Sequence, residues 1–247
     1  MSSIFDVTHH SVALRMDVGF TVVLPSKPPK GERYPLLFLL HGLSDNHRSW
    51  LTKTNIARYA EDAGIAVVMP DGARSFYCDT AAGQPYYTYV SEELPAYVRS
   101  VFPVTRDPAE TYIAGLSMGG YGALKIALRN PQHYGAVGSF SGCVDIRARM
   151  TDHTCLSEAE QAAVFGRTIA GDEDVLLLTA KAGREKAALP AIYITCGLSD
   201  HNYEANRRLR AQLDFLRIPH AYDEWPGGHE WGFWDRSIRH FLQFLGK

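Results

Sequence analysis

The sequence predicts a protein of the α/β class, in which helices cover both faces of a mostly parallel central sheet. Short runs of β-branched and apolar residues alternate along the chain with helix-type segments, as they do in successive βαβ units. One run, residues 36–40, consists of five apolar residues, which is typical of a strand buried on both faces. No internal repeat or long polar linker divides the sequence, so we expect a single domain over residues 1–247.

The predicted elements follow one another in regular order. Strands are expected at residues 18–24, 36–40, 66–69, 111–114, 136–140, 192–196 and 221–224. Helices are expected at residues 55–62, 87–102, 121–129, 204–216 and 237–245, with Pro95 starting or kinking a turn in the second of them. Residues 155–185 have a weakly amphipathic helical pattern without a strand. The sequence therefore predicts a small cap above the sheet, formed by residues 143–185.

The composition is that of an ordinary globular protein. Charged residues make up 21% of the chain and the net charge is −2, which gives no electrostatic reason to expect nucleic acid or an anionic membrane as a partner.

The first ten residues lack the apolar h-region of a signal peptide, and no run approaches the roughly 18 apolar residues of a membrane helix. The cysteines are widely spaced, without a zinc-binding pattern, at positions Cys78, Cys143, Cys155 and Cys196. We expect reduced thiols in a cytoplasmic protein.

A candidate nucleophile follows the strand at residues 111–114. The strand leads directly into Gly115-Leu116-Ser117-Met118-Gly119, and an Ala- and Leu-rich helix comes next. This strand–turn–helix context is the one in which a G-x-S-x-G nucleophile elbow exposes its serine. Side chains at the two glycine positions would collide with the neighbouring strand and helix. The helix that follows directs its N-terminal amides at the site, which favours a developing oxyanion. The alternative is a glycine-rich turn with an incidental serine.

A second element supports the nucleophile assignment. The apolar strand at residues 36–40 ends in His41-Gly42-Leu43, and in an elbow-bearing fold the loop after this strand supplies one amide of the oxyanion hole. We therefore assign the oxyanion donors to the backbone N–H groups of Leu43 and Met118. His41 is expected to hydrogen-bond the loop rather than to take part in catalysis.

An activated serine needs a base, and the base needs an orienting acid. In this topology the acid follows a late strand and the histidine lies on a loop near the end of the chain. Asp200 follows the strand at residues 192–196, and His229 follows Pro226-Gly227-Gly228 after the last strand. The sequence thus predicts a triad of Ser117, Asp200 and His229. The competing histidines His201, His220 and His240, and the competing acids Asp223 and Glu224, are less suitably placed.

These motifs resemble those of the esterase D family, particularly its tributyrin esterases and acetyl esterases. The resemblance lies in the elbow, in His41-Gly42-Leu43 and in Gly227-Gly228-His229-Glu230-Trp231, and it extends over nearly the whole chain. It implies one α/β-hydrolase domain, no metal or organic cofactor, and hydrolysis of short-chain carboxylic esters. The family's triad corresponds to the three residues already reached from topology.

The sequence departs from one branch of that family. Its S-formylglutathione hydrolases usually carry a cysteine after His-Gly-Leu and Gly-His-Ser at the elbow, whereas this chain has Ser44-Asp45-Asn46 and Gly115-Leu116-Ser117. We expect a carboxylesterase whose small-molecule partners are its substrates, acetyl to butyryl esters. Thioester hydrolysis, feruloyl or acetylxylan ester hydrolysis and acyl transfer remain alternatives on the same triad, and a non-catalytic binding module is disfavoured by the intact triad.

Substrate contacts are expected from aromatic side chains near the triad. Trp50, Tyr203 and Trp231 are the candidates, although each could equally pack in the core. The cap carries charged residues among scattered apolar ones and has no long apolar helix of the kind that covers lipase sites. We therefore expect a confined pocket.

The sequence does not decide the oligomeric state, and both a monomer and a homo-oligomer remain open.

Overall fold

The computed structural model describes residues 2–151 and 155–247 and contains one eight-stranded sheet. The strands are β1 (Ser3–Ser11), β2 (Met16–Leu24), β3 (Leu36–Leu40), β4 (Ala66–Pro70), β5 (Thr111–Leu116), β6 (Ala136–Phe140), β7 (Ala191–Gly197) and β8 (His220–Trp225). Their spatial order is β1-β2-β4-β3-β5-β6-β7-β8. The β1–β2 and β2–β4 pairs are antiparallel and all the others are parallel, which confirms the mostly parallel sheet.

Helices connect these strands and cover the sheet. They are α1 (Ser49–Lys53), α2 (Ile56–Ala63), α3 (Leu94–Val101), α4 (Met118–Arg129), α5 (Ile146–Thr151), α6 (Glu158–Phe165), α7 (Val175–Glu185), α8 (Tyr203–Leu216) and α9 (Trp231–Phe244). A short α-helical turn at Tyr86–Thr88 and a π-helical turn at Tyr89–Glu93 lead into α3, whose first turn contains Pro95. No described helix is long and apolar enough to cross a lipid bilayer.

Two apolar layers bury the sheet from opposite sides. One layer includes Tyr77, Tyr121 and Val175, and the other includes Trp50, Phe140 and Phe241. All five residues of β3 are buried, as expected for a central strand without a polar face. The predicted central strands are therefore present, and β3 and β6 have the predicted bounds.

Several elements differ from the sequence prediction, among them α1, which has no predicted counterpart, β1 and the start of α9. β1 has no counterpart among the predicted strands, because most of its residues are exposed and it forms the sheet edge through nine antiparallel pairs with β2. Helix α9 begins at Trp231 rather than at residue 237, so its first turn starts two residues after His229. The predicted cap contains α5, α6 and α7 and no strand among its described residues; residues 152–154 lie outside the described part of the chain.

Candidate active site

Ser117 lies on the sharp turn between β5 and α4. Its backbone angles are φ 51° and ψ −115°, a conformation that an L-residue rarely adopts and that costs on the order of 1–3 kcal/mol. The turn is held by the Ser117 amide, which donates to the carbonyl oxygen of Phe140 at 2.9 Å, and by the Cys143 amide, which donates to the Ser117 carbonyl oxygen at 3.1 Å. The strained backbone is thus fixed from two sides by the end of β6 and the loop that follows it.

The flanking glycines are required by close backbone contacts. A Cβ atom at Gly115 would lie 2.5 Å from the carbonyl carbon of Gly119, and one at Gly119 would lie 2.5 Å from the carbonyl oxygen of Leu40. Real Cβ atoms essentially never approach other atoms so closely. The steric reason proposed for the two glycines of the elbow is therefore present in the structure.

Three side chains from distant parts of the sequence form a continuous hydrogen-bonded chain. His229 Nε2 lies 2.9 Å from Ser117 Oγ, and His229 Nδ1 lies 2.9 Å and 3.1 Å from the two carboxylate oxygens of Asp200. A carboxylate can only accept, so Nδ1 carries the proton. The Nε2 of the neutral ring is then an acceptor that faces the serine hydroxyl. The structure brings together all three residues predicted as a triad.

Asp200 is held in its charged form. Burial acts to raise its pKa, but the hydrogen bonds from His229, from the Asn202 amide at 2.8 Å and from the Ser141 hydroxyl outweigh burial, so the pKa lies below its ordinary value. The Asp200 side chain is fully shielded from solvent, whereas the His229 side chain is 22% exposed. The imidazole therefore has a buried anion on one side and an accessible serine on the other.

The loop after β3 passes directly beside the serine. A Cβ atom built on Gly42 would lie 3.8 Å from Ser117 Cβ, an ordinary van der Waals distance, so the backbone of this loop lies close to the elbow. Among the described residues, no carbonyl accepts a hydrogen bond from the amide of Leu43 or from that of Met118 at the start of α4. Both amides predicted for the oxyanion hole are thus present next to the nucleophile position with their donors unused.

His41 has the structural role expected for it. The residue is buried, its Nδ1 lies 2.6 Å from the Gly42 carbonyl oxygen, and its Nε2 accepts a hydrogen bond of 2.9 Å from the Gly72 amide. The ring therefore connects the loop after β3 to the loop after β4. The Tyr77 hydroxyl donates to the His41 carbonyl oxygen at 3.0 Å and strengthens the same connection.

The competing titratable groups are engaged elsewhere. His220 Nδ1 lies 2.9 Å from the Ile218 carbonyl oxygen, and the His240 ring packs against Trp225. Asp223 accepts from the Tyr193 hydroxyl at 2.8 Å. His201 is the exception, because its ring lies against His229 with 4.1 Å between the ring centroids.

The aromatic residues predicted to contact substrate have different environments. Trp50 is fully buried and its indole N–H donates to the Leu40 carbonyl oxygen at 2.9 Å, so it belongs to the core beneath the site rather than to a pocket wall. Trp231 is partly buried, packs against Trp50 at 5.3 Å and has the Lys53 ammonium 4.9 Å above its ring. The Tyr203 hydroxyl donates to Glu224 at 3.1 Å. The substrate-binding roles of Tyr203 and Trp231 stay predictions.

A cavity of about 480 Å³ opens beside the loop that carries Leu43. Its walls come from three segments: the loop after β3, the residues between β4 and the π-helical turn, and the cap. The lining residues are Leu43, Ser44, Asp45, Ala73, Arg74, Ser75, Thr80, Ala82, Gln84, Tyr86, Leu156, Glu160, Ala163 and Val164. The cap part of this wall is tied down by the ion pair between Arg74 and Glu160, whose charged atoms lie 2.8 Å apart.

Several supporting residues were not predicted from the sequence. The Trp234 ring packs edge-on against His229 at 4.9 Å, and its indole N–H donates to Ser141 Oγ at 3.2 Å. Asn202 donates to the Ser141 carbonyl oxygen at 3.0 Å and positions the turn after Asp200. Ser141 has a left-handed φ of 49°, and no local sequence signal marks that position.

The sheet order, the strained serine and the positions of the acid and the histidine define the chain as a protein of the α/β-hydrolase class. Comparison with known proteins agrees with this class. The family model described as "Putative esterase" matches residues 11–245. An acetyl esterase of Caldicellulosiruptor saccharolyticus is 31% identical over 262 aligned positions, which cover 99% of this chain and 98% of the relative.

Solved structures give the same picture. The fluorophosphonate-binding serine hydrolase F of Staphylococcus aureus superposes with a TM-score of 0.93 at 28% identity, covering 100% of this chain and 99% of the other. An S-formylglutathione hydrolase from the same organism has a TM-score of 0.91 at 28% identity and covers all of both chains. The chain belongs to the esterase family whose model matches residues 11–245, as the resemblance to esterase D proteins predicted. It is a hydrolase of carboxylic esters.

Proposed function

We propose that this protein is a carboxylesterase that hydrolyses acetyl to butyryl esters through an acyl-enzyme on Ser117. The observation that carries the proposal is the uninterrupted chain of hydrogen bonds from Ser117 through His229 to Asp200. The acetyl esterase relative supports the choice of short acyl groups. A small-molecule ester is the partner that this site requires, and the whole chain acts as a single domain.

In the first half of the reaction, His229 Nε2 takes the proton from Ser117 Oγ as the oxygen attacks the ester carbonyl carbon. The ring is then an imidazolium, which the buried Asp200 carboxylate stabilises. The amides of Leu43 and Met118 donate to the oxyanion of the tetrahedral intermediate. Collapse of the intermediate transfers the proton from Nε2 to the leaving alcohol and leaves the acyl group on the serine oxygen. Water then repeats these steps and releases the acid.

Negative charge develops on the substrate oxygen only as the tetrahedral intermediate forms. Amide donors that have no partner in the ground state therefore stabilise the transition state selectively. Removing one such donor typically costs about 2.7–4 kcal/mol in the activation barrier. The close approach of the Gly42 backbone to Ser117 supports placing the Leu43 amide there, and the start of α4 supports placing the Met118 amide there.

The cap supports a preference for small substrates. Its helices α6 and α7 contain only eight and eleven residues, and α6 carries the charged Glu160 into the cavity wall beside Leu43. Each methylene buried in a fitting pocket contributes about 0.8 kcal/mol, and overfilling then costs more than burial returns. We expect kcat/KM to peak at four carbons or fewer and to fall beyond six.

The test is a series of p-nitrophenyl esters from acetyl to decanoyl, assayed on the pure protein with Ser117→Ala as the blank. A maximum of kcat/KM at acetyl to butyryl esters supports the proposal. If octanoyl or longer esters were the best substrates, the site would be a lipase-like groove and not a confined pocket. Absence of Ser117-dependent turnover with every ester would overturn the proposed function itself.

S-formylglutathione hydrolysis is the second candidate, since the S-formylglutathione hydrolase of Staphylococcus aureus superposes over the full chain. Ser44 and Asp45 follow His41-Gly42-Leu43 where that branch of the family usually has a cysteine. Assaying S-formylglutathione beside p-nitrophenyl acetate separates the two activities. A kcat/KM for the thioester that exceeds the ester value more than tenfold would favour the second candidate.

We also propose a cytoplasmic location. Cys78 and Cys196 are buried free thiols, which fits a reducing compartment. Expression of the tagged protein followed by cell fractionation tests this, and recovery in an exported fraction would contradict it.

A further inference from the structure

His201 lies beside the proposed triad without a role in the proposed reaction. It follows Asp200 in sequence, and its ring centroid lies 4.1 Å from that of His229 with the two planes inclined by 44°. The side chain of His201 is exposed, whereas Asp200 is buried and His229 is partly buried. Two imidazoles and one buried carboxylate therefore lie together, with the His201 ring on the solvent side.

These three side chains are suitable ligands for a transition metal. One ligand atom from each of Asp200, His201 and His229 can be chosen so that all lie within 4.8 Å of one another. Zinc ligands bound at 2.0–2.1 Å in tetrahedral geometry are about 3.3 Å apart. His229 Nδ1 and the nearer Asp200 oxygen are already at 2.9 Å, so a small opening of this pair and a turn of the exposed His201 ring complete the set.

The donor types favour one group of metals. Imidazole nitrogen suits Zn²⁺ and Cu²⁺, whereas Mg²⁺ and Ca²⁺ prefer oxygen ligands. Three protein ligands with water in the fourth position are a common arrangement for Zn²⁺. The set is therefore complete without any further side chain.

We propose that Zn²⁺ binds to Asp200, His201 and His229 and reversibly inhibits the enzyme. The inhibitory consequence rests on the proposed function, while the binding site itself does not. Zinc needs the lone pair of His229 Nδ1, so the proton of the neutral ring moves from Nδ1 to Nε2 and no proton is lost. Nε2–H then faces Ser117 Oγ as a donor and cannot accept the serine proton. The ring stays in place but no longer acts as a base.

The test combines calorimetry with kinetics on the whole protein in buffer without chelator. Titration with ZnCl₂ is expected to show one site per chain, and the same zinc concentrations are expected to suppress hydrolysis of p-nitrophenyl acetate, with recovery on adding EDTA. MgCl₂ is expected to have neither effect. His201→Ala is expected to weaken both zinc binding and zinc inhibition tenfold or more, while its zinc-free kcat/KM stays within about twofold of the wild-type value.

A matched control is available at the other edge of the sheet. His10 and Asp17 form an exposed pair with 3.0 Å between Nδ1 and the carboxylate oxygen. His10→Ala should leave zinc binding and inhibition unchanged, because that pair offers two ligands rather than three. Equal zinc binding by His201→Ala and the wild type would overturn the site.

Zinc binding that depends on His201 but leaves ester turnover intact would overturn the inhibitory mechanism alone. If the protein had no ester turnover, the proposed function would fail, and the calorimetric comparison of the wild type with His201→Ala would still decide on the zinc site.

Discussion

A Cβ atom on Gly119 would lie 2.5 Å from the carbonyl oxygen of Leu40, so the turn that carries the nucleophile touches the backbone end of β3. The same strand end continues into Gly42, where a Cβ atom would lie 3.8 Å from Ser117 Cβ, and then into Leu43. The spacing between the serine and the proposed oxyanion donors is therefore set by backbone contact. No side chain could be inserted at Gly119 without separating them.

Gly119→Ala should damage both stability and turnover. The added methyl group has only rigid backbone around it, and overpacking of this kind typically costs 1–3 kcal/mol, occasionally more. We expect a lower Tm, measured by calorimetry, and a kcat that falls more than KM changes. Gly31→Ala is the control, because a Cβ atom at Gly31 meets nothing within 4 Å. Wild-type Tm and kcat in Gly119→Ala would show that the turn relaxes and that the contact is not limiting.

Ser117→Ala should remain folded without measurable ester turnover. The hydroxyl is the atom that His229 Nε2 faces at 2.9 Å, and loss of one triad member typically removes several powers of ten in rate. An organophosphate should label the wild type at Ser117 alone, as shown by peptide mass spectrometry, and should not label the variant. Labelling of another residue would contradict the nucleophile assignment.

Asp200→Asn should reduce kcat by roughly 10³- to 10⁴-fold with little change in KM. The side-chain amide of asparagine can donate to His229 Nδ1 as well as accept from it, so the ring is no longer held with its proton on Nδ1. The carboxylate it replaces has a pKa held below its ordinary value and is charged throughout the neutral range. Asp223→Asn is the control, since that carboxylate accepts from Tyr193 instead. Retention of a tenth or more of wild-type turnover would place the orienting acid elsewhere.

The central strands and the positions of Ser117, Asp200 and His229 could be predicted because their signals are local. The apolar run of β3, the glycines around Ser117 and the loops after β7 and β8 each have a recognisable residue pattern. Parallel topology then brings the strand ends together, which is why three distant residues meet.

The features that escaped prediction depend on tertiary contacts. β1 is stabilised by pairing with β2 rather than by its own apolar pattern. The direction of Trp50 depends on packing against Phe140 and Trp231, whose positions the sequence does not encode locally. Lys125 lies within a predicted helix, but the partner that allows its burial, Glu173, is 48 positions away.

The pair formed by Lys125 and Glu173 ties the cap to helix α4. Lys125 is fully buried, its ammonium lies 2.5 Å from the Glu173 carboxylate, and it also donates to the Phe76 carbonyl oxygen at 3.1 Å. The Tyr121 hydroxyl donates to the Glu173 carbonyl oxygen at 2.6 Å. Removal of one member of a buried ion pair typically costs about 3–5 kcal/mol, because the other charge is left without a partner.

Glu173→Gln should therefore lower the free energy of unfolding by about 3–5 kcal/mol at pH 7, measured by urea denaturation followed by circular dichroism. Lys125→Met combined with Glu173→Gln should be more stable than Glu173→Gln alone, because no buried ammonium is left unpaired. Equal stability of Glu173→Gln and the wild type at pH 7 would contradict the role of this pair.

The destabilisation by Glu173→Gln should also depend on pH. Burial acts to raise the pKa of Glu173, but the charge of Lys125, hydrogen bonds from Cys78 and Lys125 and the charge of Arg129 outweigh it, so the folded-state pKa is below the ordinary value. A carboxylate with a depressed pKa contributes stability above its unfolded pKa of about 4.3 and loses that contribution as the pH falls through the folded value. The difference between wild type and Glu173→Gln should accordingly be full at pH 7, begin to shrink near pH 4 and be smallest at the lowest pH at which both proteins fold. Urea titrations at pH 7, at pH 4 and at the lowest pH at which both proteins fold measure this trend, and a difference that grew on acidification would show that the Glu173 carboxylate is not stabilised by Lys125.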